Sequence, residues 1–103
     1  MEDCFSQNKG ELLICLPEEV DHHNAEEIRR RADRFLSSGY ISRIVFDFSK
    51  TVFMDSSGIG VIMGRYKQIS FMGGRMELIH VNDRIDRLLR MAGIYKLIEI
   101  KED

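Results

Sequence analysis

The chain has 103 residues, which predicts a single domain spanning residues 1–103 with one hydrophobic core. Hydrophobic residues make up 44% and charged residues 31%, and the formal net charge is only −2, so neither a nucleic-acid surface nor a membrane surface is indicated. No apolar run approaches the roughly 18 residues that cross a bilayer, and the acidic N-terminus has no signal-peptide core, so we expect a cytoplasmic protein.

The first predicted element is a β-hairpin. The "NKG" turn signal at 8–10 separates a short opening strand from the apolar strand 12–16, which Pro17 ends. Cys4 and Cys15 would then lie across from each other. Two cysteines are too few for a disulfide scaffold and lack metal-ligand spacing. A disulfide between them is possible, but a reducing cytosol favours two packed thiols.

A one-sided helix follows Pro17. Asp21 or Asn24 can cap it, and Asn24 with Glu27 three residues later has the form of a capping box. The segment 37–40, "SSGY", ends the helix. Its inner face is predicted by apolar residues at helical spacing, namely Ala25, Ile28, Ala32, Phe35 and Leu36.

The second half alternates strands and helices. The apolar run 43–48 predicts a central strand buried on both faces, 75–80 the next strand and 96–100 the last. Asn82 or Asp83 can cap the third helix. The inner face of the second helix is predicted as Ile59, Ile62, Met63 and Tyr66, and that of the third as Ile85, Leu88, Leu89 and Ala92.

The resulting order is ββαβαβαβ. Strand–helix–strand units of this length imply parallel neighbours with right-handed crossovers, whereas the opening hairpin is antiparallel. We therefore predict an α/β fold: one domain with a mixed, mostly parallel sheet, an N-terminal hairpin and about three packed helices.

The stretch 53–60, "FMDSSGIG", lies between the central strand and the second helix, where the sites of open α/β sheets gather. Asp55, Ser56 or Ser57 can cap that helix. Gly58 and Gly60 allow close approach of the backbone, either to a neighbouring strand or to a partner.

Other chemistries fit this stretch less well. A nucleophile elbow needs a glycine where Met54 stands. Of the three histidines, two sit at a predicted helix start and His80 ends a strand with no obvious acid partner. A Walker loop is absent, which leaves a small-anion site at the helix N-terminus as the remaining ligand-binding alternative. His22 and His23 are adjacent at a predicted helix start, so they would not converge on one metal ion, and solvated histidines are the simpler interpretation. No metal or cofactor is predicted.

The segment 53–69, "FMDSSGIGVIMGRYKQI", closely resembles the signature of the bacterial anti-sigma factor antagonists, the STAS domain family. The resemblance extends to "VDHHNAE", "MGGRMEL" and "RLLRMAGIYKLIEI", and so covers nearly the whole chain. "DHH" and "GRYKQ" are most similar to antagonists of the anti-sigma factor that holds sigma-F during sporulation. "LPEEVD" departs from the family by replacing a glycine-containing turn, which affects expected partner contacts in that loop.

The resemblance implies a protein switch rather than an enzyme. In the family, the unmodified antagonist binds an anti-sigma factor and frees the sigma factor. The anti-sigma factor is also an ATP-dependent kinase for the serine after the signature aspartate, here Ser56, and a PP2C-type phosphatase reverses the modification. Asp21, Asp55, Ser57, Gly58 and Gly60 would complete the partner-binding surface of a protein that is a monomer when free. A general-stress antagonist is the alternative within the family.

Physical chemistry gives that switch a rationale. A phosphoryl group adds about −1.5 to −2 charges. At a helix N-terminus it would meet free N–H groups and the positive end of the dipole, so the fold should tolerate it. Asp55 would orient the Ser56 hydroxyl or cap the helix. Arg65 and Lys67 would be ordinary solvated charges on the outer face of that helix.

Overall fold

Five strands form the main sheet, a two-stranded ribbon lies beside it, and three helices pack on it. The computed structural model describes residues 4–100, without the side chains of residues 38, 99 and 100. The outer ends of the predicted domain, 1–3 and 101–103, lie outside that range. In chain order the elements are β1 Phe5–Asn8, β2 Glu11–Cys15, β3 Glu19–Val20, α1 Ala25–Ser38, β4 Arg43–Asp47, β5 Phe53–Met54, α2 Ser56–Phe71, β6 Arg75–Ile79, α3 Asp83–Met91, a 3₁₀ turn Ile94–Lys96, and β7 Glu99–Ile100.

The opening hairpin is confirmed. Lys9 has φ 49° and Gly10 has φ 85°, the paired left-handed conformation that a two-residue hairpin turn requires. The Cys15 N–H donates to the Cys4 carbonyl at 2.7 Å, so the two cysteines do lie across from each other. Both are free thiols, and burial raises the pKa of each.

The sheet order is β1-β2-β4-β6-β7. β1 is antiparallel to β2, and the remaining neighbours are parallel, which confirms the mixed, mostly parallel sheet. The last strand is shorter than predicted. Gly93, at φ 78°, leads into the 3₁₀ turn, which includes Lys96, the first residue of the strand predicted over 96–100.

The helices cover one face of the sheet. Alternate strand residues join all three helices in one core, among them Leu12, Ile14, Ile44, Phe46, Met76 and Leu78. The central position of β4 is confirmed, and so is its predicted burial on both faces, because Ile44, Val45 and Phe46 are all buried. Val45 is buried between its ladder neighbours Leu13 and Glu77 on the opposite face, which the helices do not cover. Arg43 on that face pairs with Glu77 at 2.6 Å.

The predicted capping of α1 is partly wrong. Asn24 occupies the N-cap position but makes no side-chain cap bond. Its amide instead donates to the Glu19 carbonyl at 2.7 Å, and its oxygen accepts the Asp21 N–H at 3.0 Å. The capping box with Glu27 therefore does not form, because the Asn24 side chain fixes the preceding loop. Four of the five predicted inner residues are buried and Phe35 is partly buried.

The inner faces of the other helices also differ in part from prediction. In α2 the buried residues are Gly58, Val61, Ile62, Arg65 and Ile69. Arg65 is only 8% exposed, and its Nε lies 3.2 Å from the Asp33 carboxylate of α1, so the solvated charge predicted there is wrong. Lys67 is exposed as predicted. In α3, Asn82 caps the helix by accepting the Ile85 N–H at 2.9 Å, whereas Ala92 is exposed rather than buried.

Candidate functional site

A short parallel ribbon that the sequence did not predict carries the candidate site. Glu19 pairs with Phe53 and Val20 with Met54, so β5 delivers the chain directly to the start of α2. The Asp55 N–H donates to the Val20 carbonyl at 3.1 Å and extends this pairing by one residue. The ribbon therefore fixes the entry of the "DSSGIG" segment into its helix.

Asp55 is the N-cap of α2. Its Oδ1 accepts the N–H of Ser57 at 2.8 Å and of Gly58 at 3.4 Å. Its Oδ2 accepts the His22 N–H at 3.2 Å and lies 3.5 Å from the His22 Nδ1. Of the two roles expected for this carboxylate, capping is observed. No bond from Asp55 to the Ser56 hydroxyl is found among residues 4–100.

The two serines differ in their surroundings. Ser56 is the first residue of α2 and is exposed, while Ser57 is half-buried. Free N–H groups were expected there for a phosphoryl group, but those of Ser57 and Gly58 are already taken by Asp55. The dipole end of the helix and the open surface at Ser56 remain.

The two glycines of the segment have opposite environments. Gly58 is buried, and a Cβ built there would lie 2.4 Å from Met54 Cγ and 2.9 Å from Val20 Cγ1. The close approach it permits is thus to the ribbon of its own chain. Gly60 is exposed, with nothing within 4 Å of a built Cβ, so of the two it alone leaves room for a partner.

The loop before α1 also reaches the site. Asp21 is half-buried and accepts the His23 N–H at 2.9 Å through Oδ1. His22 and His23 precede the helix rather than lie in its first turn, and their ring centroids are 4.0 Å apart. The interpretation of both as simply solvated is incomplete, because His22 contacts Asp55 across 33 residues of sequence.

A shallow groove of about 280 Å³ lies between α1 and α2 beside the serines, lined by His22, Ala25, Glu26, Arg29, Ser57, Gly60 and Val61. Its one arginine is bound by Glu26 and, at 3.2 Å, by Asp33. Within residues 4–100, no group of three side chains could hold a metal ion, and no helix is long and apolar enough to cross a membrane.

Two exposed apolar side chains stand next to the motif and were missed by sequence analysis. Val52 is 48% exposed and Phe53 is 44% exposed. Phe53 alternates with buried Met54, which is the pattern of a strand with one face open to solvent. That alternation was the available signal, but it is only two residues long.

Asp55 has a pKa below its ordinary value. Burial acts to raise it, but hydrogen bonds from the Ser57 N–H, from His22 and from the Gly58 N–H together outweigh that effect. A carboxyl group with a lowered pKa stabilises the fold above its unfolded-state pKa of about 4. That contribution is lost as the pH falls through the folded-state pKa.

Asp55 should therefore contribute to the acid sensitivity of folding. We expect the parent protein to lose more stability than Asp55→Asn between pH 5 and pH 3, since asparagine still caps the helix but does not titrate. Urea unfolding at both pH values measures the difference, and all other carboxyl groups are common to both proteins. Equal losses would show that the bonds to Asp55 do not stabilise its charged form.

The sequence and fold of this chain are similar to those of known proteins. The STAS domain model matches residues 5–103. The chain belongs to the STAS domain family. It is 38% identical over 99 residues to the anti-sigma F factor antagonist of Paenibacillus polymyxa, covering 96% of this chain and 85% of the relative. It is 28% identical over 94 residues to the anti-sigma-B factor antagonist of Bacillus subtilis, covering 91% and 84%.

Among solved structures, the Bacillus cell fate determinant SpoIIAA in its phosphorylated form superposes with a TM-score of 0.77 at 26% identity, covering 94% of this chain and 88% of that one. The family expected from the "DSSGIG" segment is thus confirmed. The expected architecture is confirmed with it, since the STAS fold extends over the sheet and all three helices.

Proposed function

We propose that this protein is an anti-sigma factor antagonist controlled by phosphorylation of Ser56. Its unmodified form binds an anti-sigma factor that is also a serine kinase, and so releases a sigma factor, which we assign to sporulation as sigma-F. Transfer of phosphate to Ser56 ends the complex, and a PP2C-type phosphatase restores it. The free protein is a cytoplasmic monomer with no catalytic activity of its own.

The observation that carries this proposal is the presentation of Ser56. The residue is exposed at the first position of α2, and no hydrogen bond of its hydroxyl is found within residues 4–100. A hydroxyl without an internal partner is available to a kinase from solvent. Ser57 is half-buried, which makes it the poorer acceptor.

The surface around Ser56 suits a protein partner. Phe53 and Val52 supply exposed apolar area, and Gly60 lines an open groove. Asp21 accepts an N–H bond from the loop and Asp55 accepts one from the helix, so both carboxylates are held in place. An apolar patch bounded by fixed polar groups is the usual anatomy of an interface.

Hydrolytic chemistry is disfavoured by the histidine contacts. A nucleophilic serine needs a base within hydrogen-bond reach. His22 contacts Asp55 and His23 contacts Asp21, each at 3.5 Å from ring nitrogen to carboxylate oxygen. Neither ring is described in contact with a serine hydroxyl, so the carboxylates and imidazoles here stabilise the loop.

The proposal predicts a single phosphorylation site. Incubation with the cognate anti-sigma kinase and ATP should place one phosphate on Ser56, and Ser56→Ala should accept none while still binding the kinase. Mass spectrometry maps the phosphate, and a native gel follows the complex. Ser57→Ala is the matched control and should be phosphorylated normally. Phosphate on Ser57 would move the switch by one residue, and no phosphate at all would refute it.

A general-stress role is the second candidate, since the chain is also 28% identical to the anti-sigma-B factor antagonist of Bacillus subtilis. Parallel binding to the two classes of anti-sigma factor separates them. The small-anion alternative is weakened by the groove, because its Arg29 is already neutralised by Glu26 and Asp33. That alternative requires a ligand-dependent rise in melting temperature without any protein partner.

A further inference from the structure

His22 makes two contacts with the same oxygen atom of Asp55. Its backbone N–H donates to Oδ2 at 3.2 Å, and its Nδ1 lies 3.5 Å from that oxygen. The other carboxylate oxygen, Oδ1, accepts from the first turn of α2. Both oxygens of the acid that precedes Ser56 are therefore engaged, and no bond from either of them to the serine hydroxyl is found within residues 4–100.

The neighbouring histidine provides a contrast. His23 is equally exposed, at 78% against 70% for the His22 side chain, and its Nδ1 lies 3.5 Å from Asp21 rather than from Asp55. The two rings thus belong to the same loop but reach different carboxylates. Of these two ring contacts, that of His22 joins the loop before α1 to the cap of α2, whereas that of His23 stays within the loop.

We propose that His22 is a positioning residue for Ser56, which holds the Asp55 carboxylate in its capping orientation and away from the serine hydroxyl. The effect on phosphorylation rests on the proposed function, whereas the contact between His22 and Asp55 does not depend on any partner. An unrestrained Asp55 side chain would accept a hydrogen bond from the Ser56 hydroxyl, which would compete with presentation of that hydroxyl to a kinase. It would also bring a full negative charge towards the incoming phosphoryl group.

The imidazole has a second effect once Ser56 carries phosphate. The new group adds about −1.5 to −2 charges beside the charge of Asp55. His22, which is already in contact with Asp55, can offset part of that repulsion when protonated. Glu26 and Arg29 line the same groove as His22, and Arg29 is held by Glu26 and Asp33.

Three variants test the assignment. His22→Ala removes the ring contact but keeps the backbone bond. His22→Asn restores a donor at the place of Nδ1. His23→Ala is the matched control, because it removes an equally exposed ring from the same loop. Carbon-13 NMR of the Asp55 carboxyl group and the kinetics of phosphorylation are measured for each.

We expect His22→Ala to raise the pKa of Asp55 towards its ordinary value, since a hydrogen bond to the charged form is lost. We expect kcat/KM for phosphorylation to fall about threefold to tenfold, mainly through kcat. That range is the rate change that corresponds to the loss of one hydrogen bond at an accessible site. His22→Asn should recover most of both effects, and His23→Ala should change neither.

Two results would overturn the assignment. One is an Asp55 titration that is the same in His22→Ala and His23→Ala. The other is a shifted titration with unchanged phosphorylation kinetics, which would leave the contact without a consequence for Ser56. If the parent protein accepts no phosphate, the proposed function fails instead, and the titration alone decides whether His22 positions Asp55.

Discussion

Ser56→Asp is expected to weaken binding to the anti-sigma factor by on the order of a thousandfold while the protein stays folded. A like-charge contact at 4 Å costs roughly 4 kcal/mol at an effective dielectric of 20. That energy corresponds to about three orders of magnitude in the dissociation constant. The fold should tolerate the substitution because Ser56 is exposed and lies at the positive end of the α2 dipole.

Ser56→Asn is the matched control for this experiment, since asparagine has the shape of aspartate without its charge. Isothermal calorimetry gives the dissociation constants, and circular dichroism checks the fold. The difference between the two variants should shrink as salt is added, because screening weakens exposed charge interactions. If asparagine weakens binding as much as aspartate does, the loss is steric and the electrostatic account of the switch is wrong.

The parts of the fold that sequence predicts are those set by local rules. The hairpin depends on two adjacent residues with positive φ, and the caps at Asp55 and Asn82 depend on bonds that span two to three residues. Each of these can be read from a short segment. The position of the candidate site at the start of α2 follows from the same local signals.

The features that sequence missed depend on contacts between distant segments. The β3–β5 ribbon joins Val20 to Met54, and the His22–Asp55 bond spans 33 residues. Arg65 was misjudged because its partner, Asp33, lies on another helix. The N-terminal half of α2 is apolar or glycine on almost every side, so periodicity could not tell Val61 from Ile59 as the deeper residue.

The close packing of the ribbon against α2 leads to the second large effect, a loss of stability in Gly58→Ala. The new methyl group would lie 2.4 Å from Met54 Cγ and 2.9 Å from Val20 Cγ1, so these buried side chains, or the helix itself, must shift. Overpacking of this kind costs about 1–3 kcal/mol. The better helix propensity of alanine offsets up to about 1 kcal/mol of that cost.

Gly60→Ala provides the matched control, because it lies two residues further along the same helix with nothing within 4 Å of the added Cβ. It should raise the free energy of unfolding by up to about 1 kcal/mol, since helix propensity is its only change. Urea unfolding of both variants should give effects of opposite sign.

The same Gly60→Ala protein should bind the anti-sigma factor more weakly, because its methyl group enters the groove that a partner would fill. Unchanged binding would place the partner elsewhere, and a stable Gly58→Ala would mean that the ribbon yields easily and does not fix the entry of Ser56 into its helix.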